Sequence, residues 1–169
     1  MTEVVIDFEG CRQKGIRQIG IIQSTDLNIS NTWDVDIVDQ KDIPLILMEA
    51  LYERPSVLIA HNAHVEKNLL REYLPYRPQN DKGNNFRHSW GPWIDTKEVY
   101  ASLYPKMRDY TLETLTTTLF NEQEVEKNTV ALCVEKKRKP HFALYDAVCT
   151  YMLINRISRV VNLGKFTKD

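Results

Sequence analysis

Asp7 and Glu9 stand two residues apart in the segment EVVIDFE, which is otherwise apolar apart from Glu3. In an extended strand side chains alternate, so both carboxylates leave from one face while Phe8 points to the other, toward a core. Carboxylates held side by side repel unless a cation lies between them. A divalent ion is the usual remedy, and hard oxygen donors select Mg²⁺ or Mn²⁺. A solvated strand end is the plainer alternative.

Two further groups carry similar chemistry. After the apolar run VLIA come His61 and Asn62, with Glu66 one helical turn beyond Asn62 on the same face. Asn62 suits the cap of the helix that opens there, and Glu66 is either a surface glutamate or a third carboxylate. The last group is His141-Phe-Ala-Leu-Tyr-Asp146. An imidazole titrating near neutrality can take up a proton. Asp146, set among Ala143, Leu144, Ala147 and Val148, would be costly to bury unpaired.

The elements that must position these groups follow from hydrophobic period. Residues 3–8, 16–23 and 32–38 read as strands with short connections, an antiparallel meander whose first turn is bracketed by Gly10 and Gly15. Pro44 opens a helix carrying Ile43, Ile46, Leu47, Ala50 and Leu51 on one side. Residues 57–60 form a buried strand, 62–75 a helix, and 76–92 a Pro/Gly-rich exposed loop. A short strand at 93–95 leads into a helix that Thr96 could cap, then one from Thr111 through Leu119. Residues 121–139 are charged and ambiguous, and 143–160 make a long amphipathic helix. Strands first and then strands alternating with helices indicate an α/β fold, a mixed five-stranded sheet flanked by helices.

Composition narrows the class. At 169 residues one domain spanning 1–169 is expected. The net charge of −1 gives no global pull toward a polyanion. A local run, Lys136, Lys137, Arg138 and Lys139, is either a phosphate contact or a solvated surface. Phe86, Trp90 and Trp93 either stack on bases or pack their own loop. No apolar run approaches the ~18 residues of a membrane span, and the opening MTEVVIDFEG lacks the order of a secretory signal. Cys11, Cys133 and Cys149 form no CxxC pair and fit reduced thiols, so a cytoplasmic setting with no membrane partner is expected.

In order, DFE at 7–9, HNAHVE at 61–66 and HFALYDA at 141–147 resemble the motifs DxE, HNxxFD and HxAxxDA of the DEDDh 3′–5′ exonuclease superfamily. Ile94-Asp95-Thr96, Leu103-Tyr104-Pro105 and Tyr110-Thr-Leu112 resemble that superfamily's intervening segment, so the likeness covers residues 1–160. It implies a ribonuclease H-like fold and hydrolysis of phosphodiester bonds at the 3′ end of single-stranded DNA or RNA, with release of nucleoside 5′-monophosphates. It also implies two ions, Mg²⁺ or Mn²⁺, about 3.5–4 Å apart. Asp7 would bridge both ions, Glu9 and Asp146 would hold the one on the nucleophile side, and Glu66 would help the other. His141 would be the general base. The histidine branch is implied because the tyrosine branch places Tyr four residues before the aspartate, where this chain has Phe142. Gly10, Cys11, His61 and Asn62 are expected on the substrate side, and Asp95 in a structural role.

Three departures stand out. Glutamate replaces the superfamily's aspartate at position 66, and from an unchanged helix its carboxylate would reach about 1–1.5 Å farther. Gly10-Cys11 replaces small hydroxyl residues, and a charged stretch directly precedes His141. Glu66 gives the alternative reading its support: a catalytically weakened or silent fold that binds nucleic-acid ends or a polymerase partner. The chain ends soon after its last helix, so a long polymerase-binding tail is not expected.

Overall fold

A computed structural model describes residues 2–52, 55–74 and 90–168. Most of the loop expected at 76–92, with Phe86, lies outside the described residues. Strands β1 (Thr2–Cys11), β2 (Gly15–Thr25) and β3 (Asn28–Asp36) form the antiparallel meander, and β4 (Val57–Ala60) and β5 (Trp93–Asp95) add in parallel on the other side of β1. The order is β3-β2-β1-β4-β5. Helices α1 (Ile43–Ala50), α2 (His64–Tyr73), α3 (Thr96–Leu103), α4 (Leu112–Leu119), α5 (Glu122–Leu132) and α6 (Ala143–Ser158) flank it. This is the expected mixed, ribonuclease H-like α/β sheet.

Alternation along β1 divides the core in two. Val4, Ile6 and Phe8 pack with Ile19, Ile21, Leu47, Leu69 and Leu70 on one face. Val5 packs with Ile22, Leu115, Leu144, Val148 and Leu153 on the other. Each buried aliphatic side chain contributes roughly 1.5–3 kcal/mol, so the sheet is a firm platform. Asp7 and Glu9 continue the face of Val5, the one that α6 covers. At Gly20, which stands opposite Asp7 on β2, an added Cβ would run into the backbone of Ala143 and Leu144. Glycine at this position lets the first turn of α6 lie against the sheet beside Asp7.

The structure corrects several local expectations. β3 begins at Asn28, not residue 32, because the chain turns earlier, at Asp26 and Leu27, both with positive φ (50° and 61°). Two such residues make the tight turn that suits a twisted hairpin. Asp95, not Thr96, caps α3, accepting from the Lys97 amide. The ambiguous stretch contains α5, opened by a capping box in which Asn121 and Glu124 each accept from the other's backbone N–H. Among the described residues no helix is long and apolar enough to cross a membrane.

Candidate active site

β1 delivers Asp7 and Glu9 at its C-terminal half, and α6 delivers Asp146 from its first turn. His141 precedes α6 with a left-handed φ of 66°, uncommon for a residue with a side chain. Its backbone N–H donates to Asp146 Oδ2 at 3.0 Å, which ties the histidine's conformation to the aspartate five residues on. Glu9, His141 and Asp146 each offer a ligand atom, and these atoms all lie within 4.8 Å of one another. Strand and helix motifs separated by more than 130 residues therefore meet.

Electrostatics bring in the other two carboxylates. Burial, then the charges of Glu66, Asp146 and Glu9, push the Asp7 carboxyl well above its ordinary range. Burial raises Glu66 to about 8, with Asp95 and Glu9 adding to the rise. Asp146 rises to about 6, again chiefly through burial, and the His141 amide partly offsets this. Glu66 is only 4% exposed, and its Oε2 has no hydrogen-bond partner among the described residues. A buried carboxylate oxygen without a partner is costly. A divalent cation would satisfy it, and four carboxylates with one imidazole make a donor set suited to Mg²⁺ or Mn²⁺. The residues present thus fit the implied metal.

The expected substrate-side residues occupy different settings. Gly10 lies at the neck of the β1–β2 hairpin, where a Cβ would strike the Gly15 carbonyl and approach Ile16 Cα to 2.8 Å. Cys11 follows, half-buried, its carbonyl accepting from Lys14 N at 3.2 Å. Asn62 is exposed with φ 65° and caps nothing with its side chain. Instead Asp95 accepts from the Asn62 and Ala63 amides at 3.0 and 2.9 Å, so one carboxylate orders the entries of both α2 and α3. His61 has both ring nitrogens engaged, Nδ1 with Thr96 Oγ1 at 2.8 Å and Nε2 with the Tyr110 carbonyl at 2.9 Å. A carbonyl only accepts, so Nε2 carries a proton. Burial lowers the ring's pKa, and the ring ties the end of β4 to the start of α4.

Other expectations give way. Lys137 is buried, its ammonium 2.8 Å from Asp34 and 2.9 Å from Asp36 of β3, so it neither touches phosphate nor faces solvent. Nothing local in the sequence signals a pairing across 103 residues. Lys139 lies over the Phe142 ring, and Arg138 Nε donates to the Cys133 carbonyl. Trp93 is a core residue and has no face free for a base. Trp90 is half-buried, its indole donating to the Leu74 carbonyl at 2.9 Å. Sequence reasoning also passed over Arg17, whose guanidinium lies 3.4 Å from Glu9.

No model of a protein family and no curated protein matches the chain. Solved structures do. The chain is similar to exonuclease X in complex with 5′-overhanging duplex DNA, at 20% identity over 97% of this chain and 96% of that one, TM-score 0.55. It is similar to a 3′-exonuclease in 3′-end specific recognition of a histone mRNA stem-loop, at 12% identity over 99% and 84%, TM-score 0.60. It is also similar to the zinc-bound form of E. coli exonuclease I with single-stranded DNA, at 13% identity over 98% of this chain and 42% of that one, TM-score 0.62. At these identities the likeness establishes the fold.

Proposed function

We propose that this chain, sharing its fold with those exonucleases, is itself a divalent-metal-dependent 3′–5′ exonuclease. It would remove nucleoside 5′-monophosphates from the 3′ end of DNA or RNA, with residues 1–169 acting as one catalytic domain. The observations that support this reading are the Glu9, His141 and Asp146 ligand atoms within 4.8 Å of one another, an Asp7 carboxyl raised by burial and by the charges of Glu66, Asp146 and Glu9, and a buried Glu66 oxygen with no hydrogen-bond partner among the described residues. The neighbours' complexes with DNA and with an RNA stem-loop support a nucleic-acid substrate of either kind.

Asp7, Glu9, Asp146 and Glu66 would hold two ions, Mg²⁺ or Mn²⁺, which when bound stabilise charge developing on the phosphate and its oxygens. His141 accepts the proton of the attacking water, whose oxygen forms the new bond to phosphorus as the bond to the 3′-oxygen of the preceding nucleotide breaks. Exposure of the His141 ring leaves it free to pass that proton to solvent. His61, through Thr96 and Tyr110, and Asp95, through the Asn62 and Ala63 amides that lead into α2, hold Asn62 and Glu66 in place. Gly10, Cys11 and Asn62 line the approach of the terminal nucleotide.

The test is a single strand, DNA or RNA, labelled at its 5′ end and incubated with Mg²⁺ or Mn²⁺. Progressive shortening from the 3′ end, release of mononucleotides, and loss of both in Asp7→Asn are expected. Neither strand shortening with either metal would overturn the reading.

A further inference from the structure

A cluster of carboxylates attracts cations and repels the phosphates of a strand. Within the basic run before His141, Lys137 does not offset that repulsion, since it is committed to Asp34 and Asp36. Arg17 stands closer to the site. The register of β1 and β2 runs Glu9 opposite Gln18 and then Gly10 opposite Ile16, so Arg17 is the extra residue of a β-bulge, with no counterpart on β1. A bulge bends the strand and re-aims the extra side chain, and bulges recur beside active sites for that reason. Here the Arg17 carbonyl is fixed by the Ile37 amide at 2.8 Å, while the guanidinium is turned to Glu9 Oε2 at 3.4 Å. The backbone is anchored and the head is loose, because the side chain is 69% exposed and the contact is long. Such an exposed pair is weak and easily exchanged.

We propose that Arg17 is a substrate-contacting residue that exchanges partners: it neutralises Glu9 while the site is empty and grips a phosphate of the nucleic-acid strand once Glu9 is engaged by metal. A guanidinium suits that exchange, since it stays charged and its planar fork matches carboxylate and phosphate oxygens alike. The inference rests on the exonuclease reading and adds a residue that the three motifs do not contain.

The experiment separates binding from turnover. Affinity of a fluorescent oligonucleotide is measured by anisotropy in Mg²⁺ over a range of salt, with His141→Ala as background so that the strand survives. Adding Arg17→Gln is expected to weaken binding roughly tenfold and to lower the slope of log K against log salt by about 0.7, the value of one lost contact to a single strand. Arg17→Lys keeps the charge and should restore the slope while recovering only part of the affinity. Calorimetric Mg²⁺ binding without a strand should be unchanged or tighter in Arg17→Gln, because a competing cation has left Glu9. Unchanged strand affinity and slope would overturn the role of Arg17 and leave the exonuclease reading standing. Weaker Mg²⁺ binding with unchanged strand affinity would also overturn it, making Arg17 a residue that merely orders Glu9. A His141→Ala protein that binds no strand would overturn both.

Discussion

Glu66 differs from the other acidic residues of the site in depth and in partners: it is buried, and one of its oxygens has none among the described residues. Of the charges acting on Asp7, that of Glu66 is the largest. The sequence alone suggested an overreach for the longer side chain; we propose that from α2 it serves the site at its present length. Shortening it should cost function. Glu66→Asp is expected to weaken Mg²⁺ binding by about 10–100-fold, in the range of other losses of support around a metal. Glu66→Gln, which keeps length but loses charge, should do at least as much. Calorimetry checks both, and unchanged metal binding in the two variants would remove Glu66 from the centre. His141 is exposed and packs against little, so His141→Ala should fold normally yet lose roughly 10²–10⁴-fold in turnover. Normal turnover would assign the proton to another group. These residues were legible because each motif is local: D-x-E needs only strand alternation, and H-x4-D only the start of one helix. Arg17 was not, because a bulge is a property of two strands in register and leaves no mark in the sequence of one.

The elements owe their placement to a few long-range contacts. Gly20 admits α6 against β2, and the Gln18 carboxamide of β2 links β3 to α6, donating to Asp36 and accepting from the Ala143 amide. Lys137, four residues before His141, anchors the loop ahead of α6 to Asp34 and Asp36. Replacing it with methionine keeps the aliphatic stem but leaves Asp34 and Asp36 without their shared cation. Lys137→Met is expected to destabilise the fold by about 1–3 kcal/mol and to lower turnover, as thermal denaturation and single-strand degradation would measure. If neither changes, the anchor does not position His141. Most helices were legible from apolar spacing, because each packs one stripe on the sheet. α5 was obscure for a physical reason: it buries little beyond Thr129, with Val125 and Leu132 half-buried, so its apolar period is faint. Its capping box, Asn121 with Glu124, was a signal in plain sequence. The start of β3 was misplaced because that strand lies at the sheet edge and is largely exposed, so polar residues there read as a turn.

Across the whole molecule, the crowded carboxylates link folding to pH. Glu66, at about 8, and Asp146, at about 6, both lie above their ordinary values through burial. Between an ordinary carboxyl pKa and these raised values, the folded protein binds more protons than the unfolded chain, so stability falls as pH rises. The metal-free protein should therefore lose thermal stability from about pH 5 to pH 8, and added Mg²⁺ should restore more at pH 8 than at pH 5. Ligand carboxylates must be deprotonated to bind a metal, so Mg²⁺ uptake near pH 7 should release protons, seen as buffer-dependent heats. A stability that rises over that range would contradict the clustering of these acids. The class of fold was legible because β-branched runs and helical stripes follow one another in an order that few topologies satisfy. The joining of side chains from distant segments was visible only as a motif order, and the fold brings the ligand atoms of Glu9, His141 and Asp146 within 4.8 Å of one another. Anomalous diffraction from crystals grown with Mn²⁺ and a nucleoside 5′-monophosphate tests that joining most directly. Two manganese peaks are expected against Asp7, one also touching Glu9 and Asp146 and the other on the side of Glu66, with the phosphate between them and His141. Peaks remote from Asp7, or none at all at saturating Mn²⁺, would contradict it.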